Sequence, residues 1–405
     1  MRIVEVMPPM LNGDKLTEAL EIYPEYDVDI STRPATERLI ALQDIYNIYV
    51  PSAMSREIYS KLYLSLLRSL QKKQTIMATR QYSENARMIR QKSFESIIGG
   101  ADSYTILGGS GIGKSSAISR AISILMEEPI LEFNGGKLIP CLLVQCPADT
   151  SVKGLLLEIM RKVDEHLDSG YYSQAIRAKS TVDTLIGTVS QVALNHIGLL
   201  IIDEIQGLVT HKNGKTVIGT LTQLINNAGL SIVMVGTPEC ETLFSSEKVL
   251  ARRTVGLSYR EIEYTDEYKA FVDILLRYNY TKNPIAVSET LYLWLYAHSD
   301  GNVAITVQLI HDGQEIAILS EIEVLDVSTL NMAFENRMRL LHDYIKPDKV
   351  TYSPPRKIRK CITEVNSSAE LVLTIAEISL SAKRTNKSVV SELKANGFCI
   401  TEVSL

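Results

Sequence analysis

Residues 108–116 read GGSGIGKSS, which places four glycines within six positions of a chain that has only 22 among 405 residues. Glycine has no Cβ, so successive backbone N–H groups can turn inward and surround an anion. The spacing fits G-x-x-x-x-G-K-[ST]. Gly108 opens the pattern, Gly109, Ser110, Gly111 and Ile112 form the loop, Gly113, Lys114 and Ser115 close it, and Ser116 follows. In such a loop Lys114 reaches the β- and γ-phosphates, the Ser115 hydroxyl ligates Mg²⁺, and the next helix adds the positive potential of its N-terminus. The implied ligand is ATP with Mg²⁺.

Hydrolysis needs carboxylates as well. In GLLIIDEIQ (198–206), four apolar residues carry Asp203 and Glu204 to one end of a strand. Asp203 is expected to hold Mg²⁺ through water, and Glu204 to polarise the attacking water. A doubled acid after a phosphate loop is the mark of an ATPase; a binding protein needs only the first. SIVMVGTPE (231–239) ends in Thr237, a hydroxyl placed to orient water between the two motifs. LARRTVG (250–256) sets Arg252 and Arg253 side by side. In an oligomer one of them can project into the neighbouring subunit and stabilise γ-phosphate charge as an arginine finger. The sequence does not choose between the two.

Parallel strands are the elements that bring such residues together. YTILG (104–108), IPCLLVQC (139–146), GLLIIDE (198–204) and LSIVMVG (230–236) are apolar runs too short for buried helices, with amphipathic helical stretches between them. The alternation predicts a doubly wound α/β core over 86–265. Strands vanish from 266 onward, and four successive helical stretches predict an all-α domain over 266–345. Ahead of the core, residues 1–35 carry Pro8, Pro9, Pro24 and Pro34 and read as an extended arm. Helices are expected over 36–46 and 55–73, giving an N-terminal region of arm and helices over 1–85. Residues 346–360 hold three prolines and six basic residues against one Asp, a linker into a small helical tail that ends at 405.

Composition narrows the class. With 45% hydrophobic and 22% charged residues, the chain can bury a core. Its net charge of −5 argues against basicity throughout, but a local stripe of Lys and Arg is enough for nucleic acid. The five cysteines are scattered and none forms a C-x-x-C pair, so neither a disulfide scaffold nor a zinc site is expected. The six histidines make no metal-hydrolase spacing. No apolar run approaches a membrane span, and a cytoplasmic, soluble protein is expected.

The phosphate loop, "IIDE", "VGT", paired arginines and an all-helical lid together resemble an AAA+ ATPase. More narrowly, LLIIDEIQGL, IVMVGTPECETLF and LARRTVGL resemble the TnsC/TniB group, ATPase regulators of transposition, as does IYNIYVPSAMSREIYSKLYLSLLRSL ahead of the loop. The likeness spans roughly residues 36–345. It implies an AAA+ P-loop NTPase core with a parallel sheet, an all-α lid and a small C-terminal helical tail. It also implies a homo-oligomer, ring or filament, around duplex DNA, linking a TnsD/TniQ-type target-site selector to TnsA/TnsB-type transposase subunits. One departure stands out. SDGNVAITVQLI keeps a Gly-Asn turn but has no Arg in the next turn, where many AAA+ proteins place a second γ-phosphate sensor. Either Gln308 substitutes or the position is empty, and a slow switch suits this better than a motor.

Wrapping duplex DNA needs cations facing a pore. Thr150, Ser151 and Lys153, in CPADTSVKGLLLEIMRK, stand at a helix start suited to phosphate contacts, or simply cap that helix. Residues 346–405 read as a tail that docks the transposase, with PPRKIRK either gripping DNA or solvating the linker. Two rival classes share the core. One is a replication initiator or helicase loader, and the other is a STAND-type signalling ATPase that assembles without DNA.

Overall fold

Runs of β-branched and leucine residues, buried on both faces, form the middle of one sheet. The computed structural model describes residues 7–91, 98, 103–133, 136–147, 149, 151–210, 214–245, 256–345 and 347. The strands are β1 (Ser103–Gly108), β2 (Leu131–Phe133), β3 (Gly136–Gln145), β4 (Ile197–Asp203), β5 (Ser231–Gly236) and β6 (Leu257–Tyr259), in the order β2-β3-β4-β5-β1-β6. All neighbouring pairs are parallel except β2–β3, which is antiparallel. The four strands read from sequence are β1, β3, β4 and β5. The edge strands β2 and β6, three residues each, carry too little pattern to be recognised. The sheet is therefore mixed, mostly parallel.

Side chains alternate along each strand and split the core in two. Leu200, Ile202, Ile232 and Met234 face one side, with helices α6 (Val152–Leu167), α8 (Val182–His196) and α10 (Gly214–Ala228). Leu199, Ile201, Val233 and Val235 face the other side, with α1 (Gly13–Leu20), α3 (Ala53–Lys73) and α5 (Lys114–Leu125). The longer helix α4 (Ile76–Gln91) and the short helices α2 (Ala35–Ala41), α7 (Tyr171–Arg177), α9 (Gly207–Thr210) and α11 (Glu241–Ser245) complete this part of the chain.

The N-terminal region departs from the extended arm expected of residues 1–35. Leu16 and Leu20 bury one face of α1 against the core, and the Arg120 guanidinium caps its C-terminus by donating to the carbonyls of Ala19 and Leu20, both at 2.8 Å. The prolines do not prevent burial: Leu16, Leu20 and Ile30, which fall between them in sequence, lie in the core. Further on, Ile30, Leu42 and Ile45 join the core of the helical region, and there Arg38 is 1% exposed. Its guanidinium donates to both carboxylate oxygens of Glu323 at 2.7 Å and to the Tyr280 carbonyl at 2.9 Å. This charged fork holds the Glu323 carboxyl below its usual range. The chain then returns to the core through α3, which opens with a reciprocal Ser52–Ser55 capping box.

Polar bonds also fix α3 to the sheet. The Ser231 hydroxyl donates to the Ser65 carbonyl at 3.0 Å, and the Lys73 ammonium donates to the carbonyls of Ala193 and, at 2.9 Å, Leu194 at the end of α8. Burial pulls the Lys73 pKa down to about 7. The unfolded chain then binds one more proton than the folded chain between about pH 7 and pH 10. This lysine therefore costs the fold most at and below pH 7, and the penalty fades as pH rises. Lys73→Met is expected to gain stability over wild type as pH falls from 9 to 7, by roughly 1.4 kcal/mol per unit at most. Urea unfolding of the two proteins across that range checks it, and a pH-independent difference would refute it.

The four helices expected after residue 266 are α12 (Asp266–Leu276), α13 (Glu289–Ser299), α14 (Val303–Leu319) and α15 (Val327–Arg337). Residues 1–349 cluster as one compact unit. Apart from Pro347, the expected linker and tail over 346–405 lie outside the described residues.

Candidate nucleotide-binding site

β1 delivers the chain to Gly108, and α5 begins at Lys114, so the loop between them is short and sharply turned. Gly111 and Gly113 have φ of +82° and +96°, a region that side chains with a Cβ rarely adopt. The sequence pattern thus matches a backbone requirement. Gly113 also serves as N-cap of α5, which leaves the amides of the first turn free for an anion.

Lys114 extends over this loop. Its ammonium donates to the carbonyls of Gly108 at 2.8 Å and Gly109 at 2.7 Å. Burial lowers its pKa, and the negative charges of Asp203, Glu204 and Glu261 oppose that shift. The Ser115 hydroxyl donates to Asp203 Oδ2 at 3.1 Å, so the two residues named as cation ligands meet across 88 positions of sequence. Asp203 ends β4 and is 8% exposed, and its Oδ1 accepts the Glu204 backbone N–H at 2.8 Å. Glu204 has φ +61°, a left-handed turn that throws its side chain off the strand direction into the open. There Gln206 donates to its carboxylate. Thr237, at the end of β5, engages the Glu239 carboxyl and lowers its pKa.

These residues line one cleft of about 970 Å³. Gly111–Ser116, Asp203, Glu204 and Thr237 form its core-side wall, and Val303, Ala304, Val307 and Gln308 of α14 form the wall opposite. Gln308 therefore occupies the cleft at the turn where an arginine is missing from the sequence pattern. Two contributors escaped the sequence reading. The segment Tyr46–Ser55 lines the cleft, although no residue in it is named from sequence as a nucleotide contact. Tyr259–Glu263 does so too, bringing Arg260 and Glu261 beside the loop. Glu261 stands so close to Gly109 that a Cβ there would lie 2.4 Å from its carboxylate oxygen. A run of mixed polar and aromatic residues carries no signal of its own; only the pairing of Gly108 with Tyr259 places it.

Other named residues fall elsewhere. Arg252, Arg253 and Thr150 lie outside the described residues. Ser151 caps α6, accepting from the Gly154 N–H at 2.9 Å and donating to Asp149 at 2.8 Å, while Lys153 is exposed beside it. That helix start already carries the carboxylate of Asp149. In the helical region His311, Asp312 and Glu315 gather as possible metal ligands, but Arg337 pairs with both carboxylates. A guanidinium in that position competes with any cation. Among the described residues no helix is long and apolar enough to cross a membrane.

The match to a domain family agrees with the architecture. Residues 97–244 match the AAA domain family. Drosophila ORC bound to DNA is similar at 15% identity and a TM-score of 0.43, over 98% of this chain and 84% of that one. Aeropyrum pernix ORC1 in complex with DNA is similar at 14% identity and 0.43, over 78% and 83%. Domain III of the Thermotoga maritima replication initiation protein DnaA follows at 13% and 0.38, over 69% and 97%. No curated protein sequence matches the chain. The segment 97–244 carries an AAA domain, an α/β core with a P-loop, and a helical region stands behind it.

Proposed function

We propose that this chain is an ATPase of the AAA+ class that assembles on duplex DNA and regulates DNA transposition, in the manner of the TnsC/TniB group. The observation that carries the ATPase reading is the meeting of Ser115 with Asp203 at one end of a cleft that also holds Lys114 and Glu204. A hydroxyl and a carboxylate are hard oxygen donors that suit Mg²⁺, so Ser115 and Asp203 would hold the ion, which would supply positive charge against the phosphates. The loop amides and Lys114 hold the phosphates, while Glu204 accepts a proton from the attacking water and Thr237 orients that water.

The regulatory half of the reading rests on the motifs and on an incomplete site. Arg260 lines the cleft but no arginine of α14 does, and in this reading the charge that develops on the γ-phosphate is met by a neighbouring subunit, through Arg252 or Arg253. ATP then joins copies of the chain, and hydrolysis separates them. Multiplied contacts allow an acidic chain to hold DNA, with Thr150, Ser151 and Lys153 as the proposed contacts in each subunit. Bound to DNA, the assembly links a TnsD/TniQ-type selector to TnsA/TnsB-type transposase, with residues 346–405 docking the latter.

Electron microscopy and light scattering with duplex DNA in ATP, ADP or a non-hydrolysable analogue test the mechanism. Rings or filaments are expected with ATP and the analogue and not with ADP. A protein that stays monomeric with ATP, Mg²⁺ and duplex DNA all present would overturn it.

A further inference from the structure

The cleft has two walls, and one residue of the helical wall grips the phosphate loop itself. Asn302 precedes α14 and is 8% exposed. Its Oδ1 accepts the Ile305 N–H at 3.3 Å as an N-cap, and its Nδ2 donates to the Ser110 carbonyl at 2.7 Å. One residue further along the loop, the Ala304 N–H donates to the Gly111 carbonyl at 3.0 Å. Behind this junction the Gly301 carbonyl accepts the Ile262 N–H at 3.1 Å, which ties the same turn to the segment that follows β6. Contact is close enough that a Cβ on Gly111 would stand 2.6 Å from Asn302 Oδ1.

A trans peptide points its C=O and its N–H in opposite directions. Holding the Ser110 carbonyl toward α14 therefore turns the Gly111 N–H away from it. Holding the Gly111 carbonyl does the same for the Ile112 N–H. Those two amides belong to the loop that faces the phosphates, and an anion is bound well only by donors already aimed at it. We infer that Asn302 is a positioning residue: through the Ser110 carbonyl it sets the orientation of the loop amides for the phosphates of a nucleotide. The helical region thereby tunes phosphate affinity without touching phosphate. This rests on the nucleotide reading above and adds to it the side chain that couples the two walls.

Asn302 has two roles, and substitution can separate them. Asn302→Ser keeps a good N-cap acceptor but is too short to reach Ser110. Asn302→Asp also keeps the cap, but puts a carboxylate where an N–H donor stood, against a carbonyl oxygen. With a fluorescent mant-ATP probe and Mg²⁺ near pH 7.5, the Ser variant is expected to bind about tenfold more weakly than wild type, and the Asp variant more weakly still. Both should unfold near the wild-type temperature without nucleotide. In the Asp variant, the affinity relative to wild type should recover as pH falls toward about 5, because the protonated carboxyl again offers a donor. Wild-type affinity in both variants, or a variant-to-wild-type ratio that does not change with pH, would overturn the inference. Failure of wild type to bind the probe would instead sink the nucleotide reading, and this inference with it.

Discussion

Lys114→Ala is expected to abolish ATP-dependent binding to duplex DNA. The ammonium is anchored on two loop carbonyls, at 2.8 and 2.7 Å, and is partly desolvated by the cleft. When phosphates arrive, its charge meets theirs in surroundings that screen poorly, whereas the three nearby carboxylates of Asp203, Glu204 and Glu261 repel them. Truncating one partner of such a pair costs about 2–5 kcal/mol, so ATP affinity should fall by roughly 30- to 5,000-fold. If the triphosphate joins subunits, assembly on DNA falls with it. A filter-binding assay in which the alanine variant retains ATP-dependent DNA binding would defeat the proposal.

Glu204→Gln should act in the opposite sense on the assembly. Glutamine has the same shape, so it can keep the left-handed turn at φ +61° and the backbone bond to Asp203. What it loses is the ability to accept a proton from water. General-base losses of about 10²–10⁴-fold in turnover are typical, while phosphate binding through the loop and Lys114 is untouched. ATP-bound subunits should then persist on DNA, with phosphate release slowed by that factor and the lifetime of the complex extended. Wild-type phosphate release by this variant would remove Glu204 from the role. The two substitutions thus separate making the assembly from dissolving it.

Much of the proposed site is legible in the sequence. Lys114, Ser115, Asp203 and Glu204 stand out as candidates because phosphate chemistry restricts both residue type and spacing, and the flanking strands are continuous apolar runs. The N-terminal region was harder to read. Prolines at 8, 9, 24 and 34 read as an extended arm, yet Leu16, Leu20 and Ile30 are all buried. Burial there depends on partners far along the chain, as the Arg38–Glu323 pair 285 residues apart illustrates. Local propensity does not contain that information. The same holds for β6, three residues long, whose position beside β1 brings Tyr259–Glu263 to the loop.

Asn302 marks the boundary between the two kinds of knowledge. Alone, the Gly-Asn turn of SDGNVAITVQLI determined a helix start and the absence of an arginine after it, because caps and charges are properties of neighbouring residues. Only the tertiary structure decided that this cap also holds the Ser110 carbonyl, 192 positions away. Local sequence governs which hydrogen bonds a backbone can make nearby. Which distant surface a capped helix meets follows from how the two apolar faces of the sheet and the core of the helical region close around one another.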